Sequence, residues 1–317
     1  EMPTLLGHTL GTPGLTPFKA LDLFASSGLD GAELIWQDDY KGAIPESDDG
    51  QVAAGVKSHA DALGLRIGCL TPYVTKLNSL DEAVRRNEVA RLERAIRTAR
   101  SLDCPRVRIY AGTLLGDEAE QDIPRLWARL VASLRRLGTM AIENSVVLCV
   151  ENHFGTMTVS AAETVALVEE VDSEGVGILY DQANLAFTHR EAYGEAIRVQ
   201  TDWIRHVHVK DLEFIHPDKA LKTAQVASID KSERIHASRM IGDGILDWAA
   251  IVTALIASGY DGSYSLEYEY RWNPEDLPEP AVGFPESARR LRTCFEQEAP
   301  DSVVSGMAPT ADSGRSR

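Results

Sequence analysis

The sequence predicts an α/β chain folded as a (β/α)8 barrel of the TIM type, with a long loop after strand seven and a disordered C-terminal tail. Three observations carry this expectation. Short β-like runs alternate with longer helical patterns, and there are eight of each, the number that closes such a barrel. Four polar residues end or interrupt successive apolar runs: Glu151 after VVLCV, Asp181 after VGILY, His208 inside IRHVHVK and Glu267 after SYSL. Their spacings of 30, 27 and 59 residues fit two strand-helix units and a third with an insertion. In such barrels the catalytic groups project from the C-terminal ends of different strands, where these four would stand.

The strand candidates are residues 4–10, 31–36, 65–71, 106–112, 146–152, 176–181, 204–210 and 263–269, each long enough for a parallel strand buried on both faces. Between and after them, helical patterns occupy 16–27, 50–63, 80–102, 122–143, 160–172, 190–200, 247–258 and 285–297. Ser160 with Glu163 three residues later is a capping-box pattern, and Gly28, Gly64 and Gly259 suit left-handed helix ends. Residues 211–246 form an unusually long connection carrying Asp211, His216, Lys219, Lys222, His236 and Arg239, which reads as a lid or substrate loop. A single catalytic domain is expected over 1–298. The small polar residues of 299–317 read as a disordered tail.

A length of 317 residues with 44% hydrophobic content suffices for one large core. With 48 acidic against 32 basic side chains, the formal charge of -16 repels polyphosphate backbones, so nucleic acid is not an expected partner. No apolar stretch reaches the roughly 18 residues that span a bilayer, and no signal core precedes the first strand. No membrane partner and a cytoplasmic location are expected. Cys69, Cys104, Cys149 and Cys294 form no CxxC pair and read as structural thiols.

Alternate side chains of a strand face the same way, so Glu151 pairs with His153, His206 with His208, and Glu267 with Glu269. Three carboxylates and one imidazole make a mostly oxygen ligand set for one divalent ion. Mn2+ is favoured, with Mg2+ and Co2+ as alternatives; structural zinc prefers thiolates and imidazoles in a closed tetrahedron. Such an ion can hold a hydroxyl and a neighbouring carbonyl of a sugar and stabilise a metal-bound enediolate after proton loss from the adjacent carbon. Glu151 and Glu267, from strands five and eight, are the expected acid/base groups as well as metal ligands. At the strand-end rim, His8, Trp36, Tyr73 and Tyr110 are candidates to pack against a sugar ring, and Arg271 to meet an anionic or hydroxyl-rich end. Glu33, earlier on strand two, is expected to hydrogen-bond a neighbour at the barrel top.

The segments VENH (150–153), LYDQANL (179–185), RHVHVKD (205–211), IGDGILDW (241–248) and GYDGSYSLEYE (259–269) resemble the sugar phosphate isomerase/epimerase family, the xylose-isomerase-like TIM barrels. The resemblance covers the chain to about residue 297 and implies one divalent metal held by Glu151, Asp181, His208 and Glu267. It does not select a substrate, since members include ketose epimerases, hydroxypyruvate isomerase, inosose dehydratase, dehydroshikimate dehydratase and C-glycoside-cleaving subunits. Asn184 stands where ketose 3-epimerases commonly carry His, and position 214 is Phe where a basic residue is common, with Lys210 nearer the strand. Asn184 and Lys210 are therefore candidate substrate contacts; Lys210 could instead pair with Asp211. His153 is either an acid/base group, as an elimination would use, or a hydrogen-bonding partner that orients a ligand.

The expected function is a divalent-metal-dependent isomerase or epimerase of a keto-sugar or related polyol, with a small-molecule carbohydrate as its partner. A lyase of the same family, starting with the same proton abstraction and then losing a β-substituent, is the nearest alternative. Apurinic endonucleases share the fold but use a His-rich zinc cluster, which eight histidines and a strongly acidic chain do not suit. A non-catalytic barrel subunit is a remoter reading, and a homo-oligomer or a partner subunit is compatible with all of these.

Overall fold

Apolar runs buried on both faces become the barrel strands, and the amphipathic patterns between them become the helices that cover it. The structure, a computed structural model, describes residues 2–188, 191–219 and 234–298. In chain order, β1 (Leu5–His8) leads to α1 (Pro17–Ser26), β2 (Gly31–Trp36) to α2 (Gln51–Leu63), β3 (Arg66–Pro72) to α3 (Glu82–Ser101), and β4 (Arg106–Tyr110) to α4 (Ile123–Glu143). Next come β5 (Val147–Glu151), α5 (Ala161–Val171), β6 (Val176–Asp181), the short α6 (Gln182–Ala186), α7 (Tyr193–Gln200) and β7 (Ile204–Val209). A hairpin of β8 (Asp211–Phe214) and β9 (His236–Arg239) precedes α8 (Trp248–Ala257), β10 (Tyr264–Leu266) and α9 (Pro280–Glu298).

Eight strands close in the order β1-β10-β7-β6-β5-β4-β3-β2, all parallel, and closure occurs where Leu6 pairs with Ser265. The chain is thus a (β/α)8 barrel, as expected. Local chemistry sets the boundaries. The Asp81 side chain accepts the N–H groups of Ala83 and Val84 at the start of α3, and Ser160 and Glu163 complete the capping box of α5. Gly64 ends α2 at φ 71°, a left-handed conformation that glycine adopts without strain. All four cysteines are free thiols. No helix among the described residues is long and apolar enough to cross a membrane.

Five elements differ from the sequence reading, one of them the short α6, which has no counterpart in the predicted helices and is capped by the Asp181 side chain. The first strand stops at His8 because its Nδ1 accepts the Leu10 N–H at 3.0 Å and turns the chain. The last strand stops at Leu266, whose carbonyl accepts the Tyr268 N–H and starts a tight turn. Helix α9 begins five residues before Pro285, where Val282 and Gly283 both donate to the Glu279 carbonyl. The connection after strand seven is a paired hairpin at its base, with Asp211 opposite Arg239 and Phe214 opposite His236. Lys222 of that connection and the expected tail, 299–317, lie outside the described residues.

Asp211 secures the far side of this hairpin. Its buried carboxylate accepts four backbone N–H groups, from Leu212, Gly242, Gly244 and Leu246, at 2.9–3.2 Å. Gly244 is required by this approach, since a Cβ there would lie 2.1 Å from Asp211 Oδ1.

Candidate metal centre

Strand ends bring four side chains to one point. Glu151 and Asp181 close β5 and β6, His208 is the penultimate residue of β7, and Glu267 follows β10, held by its N–H donating to the Val209 carbonyl at 3.0 Å. One ligand atom from each lies within 4.8 Å of the others, and all four residues are buried. His208 Nδ1 is 3.6 Å from Glu151 Oε1, 3.8 Å from Asp181 Oδ2 and 3.3 Å from Glu267 Oε2. That buried nitrogen has no hydrogen-bond partner among the described residues. Three carboxylates converging on an unpartnered imidazole nitrogen fit a divalent cation, which balances their charge and takes oxygen and nitrogen donors together.

The surrounding residues hold this set in place. Asp181 Oδ1 caps α6 by accepting the Asn184 N–H at 2.9 Å, which leaves Oδ2 toward the cluster. Asn184 Nδ2 donates to Glu151 Oε1 at 3.1 Å and to the Asn152 carbonyl at 3.0 Å. Arg108, buried within β4, places its Nε 3.1 Å from Glu151 Oε2. Lys210 Nζ donates to Glu267 Oε2 at 2.6 Å and lies 3.0 Å from Asp181 Oδ2 and 3.3 Å from Glu269 Oε1. Beneath the cluster, the fully buried Glu33 accepts from Thr71 Oγ1 at 2.5 Å and faces three imidazoles, with Nε2 of His206 at 2.8 Å, of His208 at 3.1 Å and of His8 at 3.4 Å.

These neighbours set the charge states. Burial works to raise the Glu151 carboxyl, but the attraction of Arg108 and His208 outweighs it and brings the pKa to about 2. Burial is opposed in the same way at Glu267, which Lys210 and His208 hold well below the ordinary carboxylate range. Asp181 goes the other way: burial, reinforced by the charges of Glu267 and Glu151, lifts it to about 6 despite Lys210. Burial also lowers His153, which keeps its imidazole neutral at pH 7.

A cavity of about 500 Å3 opens over the cluster. Of the residues singled out in the sequence, Glu267, His153, Tyr73, Tyr110, Asn184 and Lys210 line it. Glu151, Asp181 and His208 lie in the adjoining cluster. His8 and Trp36 do not line it: His8 is wholly buried beside Glu33, and Trp36 is covered by the loop that pairs Ile44 with it. Arg271 stands beside the cavity, donating to Gln37 Oε1 at 3.1 Å with its guanidinium 4.1 Å from the Tyr40 ring and 4.5 Å from that of Trp272. Sequence reasoning missed Arg108, Phe154, Phe187 and Trp272, and placed His236 only in a long loop. A charged residue inside the apolar run RVRIY was the available signal for Arg108; the aromatics carried none, because the fold alone gathers them.

Known proteins resemble the chain in sequence over part of its length and in fold over nearly all of it. The chain is 31% identical over 143 residues to an inosose dehydratase of Geobacillus thermodenitrificans, a stretch covering 45% of this chain and 47% of that enzyme, so it spans about half of the relative's length. Its structure superposes on L-ribulose 3-epimerase with a TM-score of 0.72 at 20% identity, covering 98% of this chain and 100% of the other. It also superposes on a xylose isomerase-like TIM barrel protein from Mycobacterium smegmatis, solved in complex with magnesium, with a TM-score of 0.68 at 18% identity over 93% of this chain and 98% of the other. At such identities the structural likeness concerns the fold. The sequence model of the xylose isomerase-like TIM barrel matches residues 21–294, and the chain belongs to that family.

Proposed function

We propose that this chain is a divalent-metal-dependent isomerase or epimerase that moves a proton at the carbon next to the carbonyl of a keto-sugar or related polyol. The observation that carries the reading is the convergence of Glu151, Asp181, His208 and Glu267 in a cluster that adjoins, through Glu267, a cavity large enough for a small molecule. When bound, the ion supplies Lewis acidity for negative charge developing on the substrate carbonyl oxygen. Mn2+ is our first choice from three carboxylates and one imidazole, with Mg2+ and Co2+ as alternatives.

The chain's own residues do the rest. Glu151 and Glu267 come from β5 and β10, separated in the barrel by β6 and β7, so their carboxylates reach a bound ring from different sides. One takes the proton from one face, and the other, protonated from solvent beforehand, delivers a different proton to the opposite face, after which exchange with solvent restores the pair. Asn184 and Arg108 fix the two oxygens of Glu151, and Lys210 fixes Glu267, so both act from one orientation.

A second reading, loss of water after the same proton abstraction, is favoured by His153. It lines the cavity outside the ligand set, its Nδ1 donates to the Phe154 carbonyl at 2.7 Å, and its Nε2 has no hydrogen-bond partner among the described residues. A neutral imidazole so held can take the carbon-bound proton and pass it to the departing hydroxyl, completing a molecule of water. Similarity to an inosose dehydratase over 143 residues supports keeping this reading.

Proton NMR in deuterium oxide tests both, using metal-loaded protein with ketoses, keto-inositols and 3-keto glycosides. Deuterium incorporation with an isomeric product supports the first reading, and an unsaturated product supports the second. Metal bound without exchange on any of these substrates would reject proton transfer and leave a non-catalytic barrel.

A further inference from the structure

The cavity has two chemically distinct parts. Its floor, at Glu267, Asn184 and Lys210, offers hydrogen-bonding groups suited to a polyol. Away from the floor, one wall is a run of ring contacts: His153 to Phe154 at 4.0 Å between centroids, Phe154 to Phe187 at 5.6 Å and Phe187 to His236 at 4.5 Å, with Ile235 alongside. Trp272 also lines the cavity. It is 50% exposed, while its ring is steadied by the Arg271 guanidinium. Hydroxyls laid against Phe154, Phe187 and Ile235 would lose water without gaining donors or acceptors, so this part does not suit further polyol. An apolar ring would instead cover the half-buried Phe154 and the half-exposed Trp272, with Phe187 and Ile235, already packed together, backing that wall.

The charges point the same way. Among the described residues, each cation lining the cavity is already paired with carboxylate: Arg108 with Glu151, Lys210 with Glu267 and Asp181, and Arg234 with Asp276 and Glu275; Arg271, beside the cavity, is held by Gln37 Oε1 and the Tyr40 and Trp272 rings. A phosphate placed among them would have to displace a buried or half-buried partner, and it would meet the acidic Glu267 and Glu269.

We propose that the substrate is an unphosphorylated carbonyl sugar carrying an aromatic aglycone, with the sugar at the carboxylate floor and the aglycone between the Phe154–Phe187–His236 wall and Trp272. This rests on the proposed chemistry for the location of the sugar, but the binding preference is measurable without turnover.

The test is calorimetric binding to the metal-loaded full chain of phenyl 3-keto-glucoside, methyl 3-keto-glucoside and fructose 6-phosphate. The phenyl compound is expected to bind at least about ten-fold more tightly than the methyl compound, about 1.4 kcal/mol, and more tightly than the phosphate. That advantage should shrink to under about three-fold in Trp272→Ala, whose side chain is half exposed, and in Phe187→Leu, which keeps most of the buried volume. Metal affinity should not change in either variant. Equal binding of the two glycosides, a preference for the phosphate, no binding of the phenyl compound, or an advantage that survives both substitutions would overturn the proposal. Deuterium exchange is read separately. A phenyl preference without exchange removes the proton-transfer chemistry and leaves the substrate class, whereas exchange on ketoses without a phenyl preference does the reverse.

Discussion

His208 and Glu33 are joined inside the barrel: the imidazole Nε2 lies 3.1 Å from Glu33 Oε1 and 3.2 Å from Oε2, both residues being wholly buried. With Nε2 donating to that carboxylate, Nδ1 is left as the nitrogen facing Glu151, Asp181 and Glu267. Glu33 thereby fixes both the tautomer and the ring plane of His208, the proposed metal ligand. Glu33→Gln keeps the shape but loses the acceptor charge shared by three imidazoles. Metal affinity is expected to fall about 10- to 100-fold, measured by calorimetry on protein whose circular dichroism is unchanged. Unaltered affinity would refute the orienting role.

Metal binding should release protons. Burial and the charges of Glu267 and Glu151 raise Asp181 to about 6. Burial would lower His208, but Glu33 and Glu267 outweigh it and hold it well above the ordinary histidine value. Both shifts are upward, so near neutrality the metal-free protein carries protons that the ion must displace, and affinity falls as pH drops through about 6. Calorimetry in two buffers of different ionisation heat should show release of about one proton at neutral pH. The same dissociation constant at pH 5.5 and 7.5 would contradict this.

Glu151→Gln and Glu267→Gln should each slow substrate deuterium exchange by at least about 100-fold, with thermal unfolding showing an intact fold. Near-normal exchange in both would remove them as proton-transfer groups.

His153→Asn separates the two proposed reactions. If water is lost, formation of the unsaturated product should fall by about 100-fold or more while metal affinity stays the same. If the enzyme only isomerises, the product ratio is untouched and the rate changes by only a few-fold.

Asp211 gathers four backbone N–H groups from β8 and the 242–246 turn, so Asp211→Asn replaces a shared anionic acceptor by a neutral one. A loss of about 1–3 kcal/mol is expected, read as a lower urea midpoint. Gly244→Ala should match it, because the added Cβ meets the same carboxylate. Unchanged midpoints would show that the turn holds without this anchor.

By itself the sequence determined the barrel and singled out the four residues that meet at the candidate metal centre. Apolar runs and amphipathic patterns alternate along the chain, and a carboxylate or imidazole ending a buried strand is conspicuous because burial of charge is costly. Glu151, Asp181 and Glu267 were visible for that reason, and so was the pair His206 and His208. Tertiary structure alone decided what surrounds them. Glu33 reaches across from β2 to His208 on β7, 175 positions away, a relationship no local pattern encodes. Arg108 meets Glu151, Trp36 is covered by its own loop, and Phe154, Phe187, His236 and Trp272 become neighbours only when the barrel closes. Strand pattern is a local property of burial and period, whereas the walls of a barrel mouth are set by register and by which loops fold over it.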